Sequence, residues 1–383
     1  MKRSHVEDAA VLMHAKQQSA ARKSTTPADA EFGRRVIDWQ RTHGRHDLPW
    51  QNTVDAYAIW VSEIMLQQTQ VATVLPYYAR FMARFPDVRA LAAATVDDVL
   101  AHWSGLGYYS RARNLHRAAQ VIRDEHSGSF PEAVEAVAAL PGIGRSTAAA
   151  VVVFAFGGRH AILDGNVKRV LARYCGISGY PGEKRVNDEL WRAAERLLPW
   201  KSVQSYTQGL MDLGATLCTR GRPRCTQCPV RSGCVAVRDD LVAILPTPRP
   251  RKALPHRNTV MVVLEHRGSV LLEKRPAIGI WGGLWSFPEM HLSDDVRIEC
   301  EQRFGVEVDH MEAMADVDHS FTHFSLTISP RRLQVAARTP IAAEADHQWL
   351  ALEAVKDAAI PAPVRRIAAL LHAPVKSALA AAV

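Results

Sequence analysis

Leu140-Pro141-Gly142-Ile143-Gly144-Arg145-Ser146-Thr147 lies between two stretches of helical apolar spacing, Val134 to Ala139 and Thr147 to Phe156. The two glycines allow a tight turn with positive φ and a close approach of the backbone to something else. The second helix then opens with free N–H groups and the positive end of its dipole, so the turn can cradle a phosphate. A bare Gly-x-Gly turn would be no more than an αα connection. The run Leu-Pro-Gly-Ile-Gly-Arg is more specific.

That run is similar to the helix-hairpin-helix element that grips a DNA phosphate. Working outward, apolar residues recur at three- and four-residue spacing from Phe32 to about Arg238, with breaks at Pro86, Gly105, Pro131, Pro141, Gly157 and Pro181. The reading is an all-α domain of many short helices over residues 32–238. Residues 239–256 are Pro-rich and basic, a linker by composition. Beyond it the period changes: Thr259 to Glu265 and Ser269 to Arg275 are β-rich runs about Arg267-Gly268, a hairpin signal, and Phe324 to Ile328 reads as another strand. Residues 257–371 are therefore expected to be α+β. Residues 1–31 read as a polar extension and 372–383 as a frayed tail.

The 383 residues suffice for two domains, each with its own core. The formal charge of +8 and pI of about 9.3 suit a polyanionic partner. No run of eighteen apolar residues suggests a membrane span, and the first thirty residues lack a signal-peptide core. With six cysteines and no export signal, a reducing cytoplasm is the expected compartment.

Four of those cysteines, Cys218, Cys225, Cys228 and Cys234, fall within seventeen residues, separated by six, two and five positions. Zinc ribbons use two Cys-x2-Cys knuckles on separate hairpins, and here there is one knuckle flanked by two lone thiols. The spacing favours an iron-sulfur cluster, whose irons each take one thiolate. Structural zinc and disulfides remain as alternatives. Arg220, Arg222, Arg224 and Arg231 surround the thiols and either offset their charge or contact phosphates.

Two carboxylates stand out. Glu63 shares a helical face with Ile59, Leu66 and Gln67, so poor solvation should raise its pKa and suit it to act as a general acid. Asp164 precedes Gly165-Asn166-Val167-Lys168-Arg169 and would either cap a helix or face the sugar of a bound nucleotide. Two carboxylates on opposite sides of a C–N glycosidic bond would follow the logic of sugar hydrolases.

The hairpin, Asp164 and the four-cysteine loop together resemble the endonuclease III superfamily of base-excision DNA glycosylases. Ser62 to Gln70, Trp103 to Tyr109, Leu163 to Val170 and Met211 to Ala215 resemble more narrowly the adenine DNA glycosylases of MutY type. The resemblance implies a monomeric enzyme that removes adenine mispaired with 8-oxoguanine or guanine in double-stranded DNA and carries a [4Fe-4S] cluster on Cys218, Cys225, Cys228 and Cys234. It implies that Glu63 protonates adenine, that Asp164 stabilises the sugar cation, and that Asn166 positions the sugar and nucleophile. Gln68 and Tyr108 match side chains that wedge into the base stack, Gly142, Gly144 and Ser146 match the DNA-gripping hairpin, and Gln208 matches a contact to the extruded adenine. Relatives that cut the backbone carry a lysine where Ser146 stands, so strand cleavage is not expected.

The C-terminal part resembles a Nudix module. Its expected Arg-Glu and Glu-Glu pairs are replaced by Arg297-Ile298 and Glu301-Gln302, so pyrophosphatase chemistry is not expected. Phe321, Thr322 and His323 match the family's 8-oxoguanine recognition loop, with Thr322 in place of a serine. A sliding-clamp or mismatch-repair partner fits the family, though no motif specifies one. The alternatives are a pyrimidine-specific glycosylase on the same fold, a non-catalytic DNA-binding protein and a cluster-based electron carrier.

Overall fold

The structure, a computed structural model, describes residues 26–250, 253–339 and 346–371. Most of the expected N-terminal extension and the expected tail at 372–383 lie outside the described residues. Those described form two compact units: residues up to Gln67 with Asp124–Pro250, and Gln68–Arg123 with residues from 253 onward. The division thus cuts across the helical region, because part of it packs with the C-terminal sheet.

In the first unit, helix Pro27–His43 starts at a capping box in which Thr26 and Asp29 satisfy each other's backbone N–H groups. Phe32 and Val36, one turn apart, bury themselves beside Leu171, Leu190, Leu210 and Leu213, each such side chain contributing about 1.5–3 kcal/mol. Helix Ala56–Leu66 is capped by Asp55, whose carboxylate accepts from Tyr57 N, and is buried at every position except Glu63 and Leu66. It packs against helix Arg145–Phe156. The hairpin turn departs from expectation in one respect: Gly142 has φ of 77°, but Gly144 is extended at −92° and serves as the N-cap of helix Arg145–Phe156. Only the first glycine needs the left-handed region. The second is placed where a Cβ would meet nothing within 4 Å, so it keeps the helix N-terminus open.

The Pro-rich run does not leave this unit at once. Leu245 is buried and its carbonyl accepts from Arg173 Nε at 2.8 Å, and Thr247 Oγ1 accepts from Gly179 N at 3.2 Å.

In the second unit, Phe81, Phe85 and Trp103 bury completely between short helices, with Phe81 edge-on to Trp103. Among the described residues eight strands form one sheet: β1 (His256–His266), β2 (Ser269–Lys274), β3 (Trp285–Ser286), β4 (Glu289–Met290), β5 (Val306–Ala313), β6 (Val317–Ser320), β7 (Ser325–Arg338) and β8 (His347–Ala351). The main order is β3-β2-β1-β7-β5, with β1 and β7 parallel. The β1–β2 hairpin turns on Arg267 and Gly268, both at positive φ, which matches strand twist. Polar ties hold the helices of this unit to its sheet domain: Ser104 Oγ donates to Ile360 O at 2.7 Å, Lys274 pairs with Asp97 at 2.8 Å, and Arg113 donates to Gly282 O. No helix among the described residues is long and apolar enough to cross a membrane.

Candidate active site

Glu63 opens onto a cleft of about 660 Å³ lined by Trp50, Gln51, Ile59, Phe154, Gln208 and Met211 among others. That volume falls within the range of small-molecule sites. The apolar helix behind it, Ala56–Leu66, leaves the carboxyl poorly solvated. Burial, and secondarily the neighbouring Asp164, push Glu63 from an ordinary 4.5 to about 8.

Asp164 is the N-cap of helix Gly165–Cys175, and its Oδ1 accepts from Val167 N at 2.7 Å. The cap reading of this residue therefore holds, and the cap is also a neighbour of Glu63. Burial raises its pKa, while the N–H groups of Val167 and Asn166 and the charges of Arg169 and Lys168 lower it. Glu63 has no comparable compensation. The two buried carboxyls are thus unequally supported, since Asp164 receives N–H donors and nearby positive charges that Glu63 lacks, an arrangement that sets the affinities of the pair for protons apart.

The segment that delivers Asp164 is pinned. Gly157 ends the preceding helix at φ of 70°, Ile162 and Leu163 are buried, and Ser146 Oγ accepts from Leu163 N at 2.9 Å. Asn166 Oδ1 accepts from Arg169 at 2.7 Å, and the same guanidinium donates to Gly214 O at 2.6 Å and, through Nε, to Cys218 O at 2.7 Å. Gly214 lies so close to Asn166 that a Cβ would stand 2.6 Å from the Asn166 Cβ.

Cys218, Cys225, Cys228 and Cys234 line one small pocket and form no disulfide, and Arg173 lies along the same pocket. Arg173 is 4% exposed and donates to Cys218 Sγ at 3.3 Å and Thr219 O at 2.8 Å. A four-thiolate donor set is soft and anionic, and a buried guanidinium beside it is complementary, so these residues fit a thiolate-held metal group. Among the described residues no group of three or more His, Cys, Asp or Glu is arranged around a single metal position. Ligands that each hold a different iron of a cluster are spread more widely than ligands on one ion.

In the second unit, Gln68 and Tyr108 are exposed non-glycine residues at φ of 59° and 50°, backbone strain of a kind found at functional sites. Buried Arg111 supports both, donating to Thr69 Oγ1 at 3.2 Å and to the carbonyls of Leu106 and Gly107 at 3.1 Å each. The Tyr108 hydroxyl lies 3.0 Å from Thr322 Oγ1. Phe321 stacks on Phe324 at 4.3 Å and meets Trp281 at 5.5 Å, while Thr322 and His323 are exposed. Two carboxylates of the sheet domain are engaged by arginines: Glu289 by Arg275 and Glu273 by Arg303, each at 2.8 Å.

Sequence reading missed Arg111, Arg169 and Arg173. A buried arginine looks like a surface arginine until its partners, which are mostly distant carbonyls, are known.

Residues 61–196 match the HhH-GPD superfamily base excision DNA repair protein family, and residues 259–370 match the NUDIX domain. The chain is 36% identical over 341 residues to the adenine DNA glycosylase of Buchnera aphidicola subsp. Acyrthosiphon pisum (strain APS), covering 88% of this chain and 96% of the relative. It is 32% identical over 395 residues to the adenine DNA glycosylase of Homo sapiens, covering 87% and 72%. The solved structure of a thermostable thymine-DNA glycosylase superposes with a TM-score of 0.51 at 29% identity, covering 55% of this chain and 97% of that one. That likeness stops at about half the chain, whereas the adenine-specific relatives extend over both matched domains. With Glu63 on the cleft and near Asp164, a helix-hairpin-helix domain and a Nudix-like second domain, the chain belongs to the adenine DNA glycosylase family, enzymes that excise adenine from DNA in base-excision repair.

Proposed function

We propose that the enzyme removes adenine mispaired with 8-oxoguanine, and also with guanine, from double-stranded DNA by hydrolysis, without cutting the backbone. The observation that carries the catalytic reading is Glu63, which burial keeps protonated to about pH 8 next to the Asp164 carboxylate. Glu63 gives its proton to a ring nitrogen of the extruded adenine. The C1′–N9 bond breaks with its electron pair going to the base, and Asp164 stabilises the sugar cation. Water adds at C1′, and the proton it loses returns to Glu63. Asn166, held by Arg169, orients the sugar and the water.

Gly142, Gly144 and Ser146 form the hairpin that takes the DNA backbone. Ser146 carries no amine, which supports release of an intact abasic site. Gln68 and Tyr108 enter the base stack, Phe321, Thr322 and His323 inspect the base opposite adenine, and Gln208 contacts the adenine. The Tyr108–Thr322 hydrogen bond supports a joint role for wedge and inspection loop. Cys218, Cys225, Cys228 and Cys234 would hold a [4Fe-4S] cluster, which orders their loop and the Arg169–Arg173 face of the catalytic helix. The enzyme acts as a monomer in the compartment that holds the chromosome.

The test is single-turnover excision from duplexes with adenine opposite 8-oxoguanine, guanine or thymine, with strand breakage read with and without alkali. Alkali-dependent cutting at adenine, fastest opposite 8-oxoguanine, is expected. Breakage without alkali at the excision rate would overturn hydrolysis alone, and equal rates opposite all three bases would overturn lesion reading.

A further inference from the structure

Residues 104–108, which present Tyr108, join helix Val96–Trp103 to helix Ser110–Glu125. Gly105, Gly107 and Tyr108 all have positive φ, at 105°, 70° and 50°. A backbone in that region keeps its shape only when its surroundings over-determine it. Part of the support comes from nearby helices: Tyr77 Oη donates to Ser104 O at 3.1 Å, and Trp103 Nε1 donates to Gly107 O at 3.3 Å. The Ser104 side chain, 8% exposed, turns instead to the C-terminal segment. Its Oγ donates to Ile360 O at 2.7 Å and accepts from Arg365 Nη2 at 2.9 Å. A hydroxyl has a single proton to give, so Ile360 takes the donor and Arg365 fills an acceptor position.

Arg365 stands on helix Ala362–Leu371, which is fixed by the full burial of Val364 and Ile367. Its guanidinium also donates to Lys356 O. The next residue, Arg366, donates through Nη1 to Asp318 O at 3.2 Å. Asp318 belongs to β6, and β6 runs directly into Phe321, Thr322 and His323. Successive side chains on a helix point about 100° apart, so two adjacent arginines reach two different segments from one rigid base. The segments they hold meet again where Tyr108 Oη lies 3.0 Å from Thr322 Oγ1.

We propose that Arg365 and Arg366 are positioning residues for discrimination of the base opposite adenine: together they clamp the Tyr108 loop and the Phe321-Thr322-His323 loop at a fixed spacing. 8-Oxoguanine differs from guanine only at C8 and N7. Telling the two apart requires close placement of the hydrogen-bonding groups, and a small displacement caused by a residue far from the chemistry is enough to lose it. Both guanidiniums end on protein oxygens, so they act through the loops they hold. The inference rests on lesion reading by these loops and adds what keeps them in register.

The experiment measures single-turnover excision of adenine opposite 8-oxoguanine and opposite guanine in wild type, Arg365→Met, Arg366→Met, Arg365→Lys and Ser104→Ala. The 8-oxoguanine-to-guanine rate ratio should fall by about tenfold in each methionine variant. Arg365→Lys keeps a donor to Ser104 and should recover part of the loss. Ser104→Ala combined with Arg365→Met should not add, because the two remove opposite ends of one hydrogen bond. A second readout uses 2-aminopurine beside the 8-oxoguanine, which brightens when it is unstacked. On mixing, before excision, wild type should raise its fluorescence more than either methionine variant does. Rates or affinities that fall alike for both duplexes, with ratio and fluorescence unchanged, would assign the arginines to folding or to the DNA backbone and overturn the proposal. If Arg365→Met does not fold, an unchanged ratio and fluorescence in Arg366→Met, a substitution at an exposed residue, overturns it equally. Equal rates opposite both bases in wild type would sink the underlying reading, and that is seen before any variant is compared.

Discussion

At the scale of single residues, Glu63 joins stability to catalysis. Its pKa is raised on folding from 4.5 to about 8, so both folded and unfolded chains hold the proton below pH 4.5 and nothing is lost there. As pH rises toward 8 the unfolded chain gains by ionising while the folded one cannot, and folding stability falls. Glu63→Gln should therefore leave the melting temperature unchanged near pH 4 and raise stability by roughly 2–4 kcal/mol at pH 8, which paired thermal melts would read. The same substitution should slow adenine excision on the order of 100- to 10,000-fold, as expected for loss of a general acid. In wild type, excision should decline as pH rises through about 8, because the acid is then unprotonated. A flat profile across that range would remove Glu63 from the acid role.

At the scale of elements, helix Gly165–Cys175 connects Asp164, the carboxylate proposed to stabilise the sugar cation, to the cysteine pocket. Asp164 caps it, Arg169 ties it to Gly214 and Cys218, and Arg173 reaches the Cys218 sulfur. Arg173→Met keeps the length and apolar stem but removes the buried charge. Purified protein should then carry less iron per chain and melt lower, measured by iron assay and calorimetry. Full iron occupancy and an unchanged melt would show that the guanidinium matters only for Leu245 and Thr219. Gly214→Ala tests the same joint from the other side. Its methyl would force Asn166 aside, at a cost of about 1–3 kcal/mol, and should lower the excision rate more than DNA affinity.

At the scale of the whole molecule, the contact-defined units do not follow the order of the chain. Residues 68–123, which carry Tyr108 and Arg111, pack with the C-terminal sheet domain. Truncation after Pro250 would strip Ser104, Asp97 and Arg113 of their partners and leave Tyr108 without Thr322. The shortened chain should melt lower and lose most of its preference for 8-oxoguanine over guanine opposite adenine, while keeping some adenine excision. An unchanged preference would place lesion reading within the helical residues alone.

Much of this was legible in the chain itself. Helical periodicity, the Arg267-Gly268 hairpin and the change of period after the prolines follow from local sterics and from the burial of one face, which act over a few residues. The hairpin glycines, Glu63, Asp164 and the four cysteines stand out in the chain because the chemistry proposed for them calls for particular residue types in short motifs. Other features had no local trace. The raised pKa of Glu63 comes from burial and from Asp164 nearby, and these two groups stand on elements about a hundred residues apart. The buried guanidiniums of Arg111 and Arg173 and the grouping of residues 68–123 with the sheet also depend on such distant partners. Sequence determines which groups are present and how each segment curls. Tertiary structure alone decides which groups lose water together, and that loss sets their charge, orientation and reactivity.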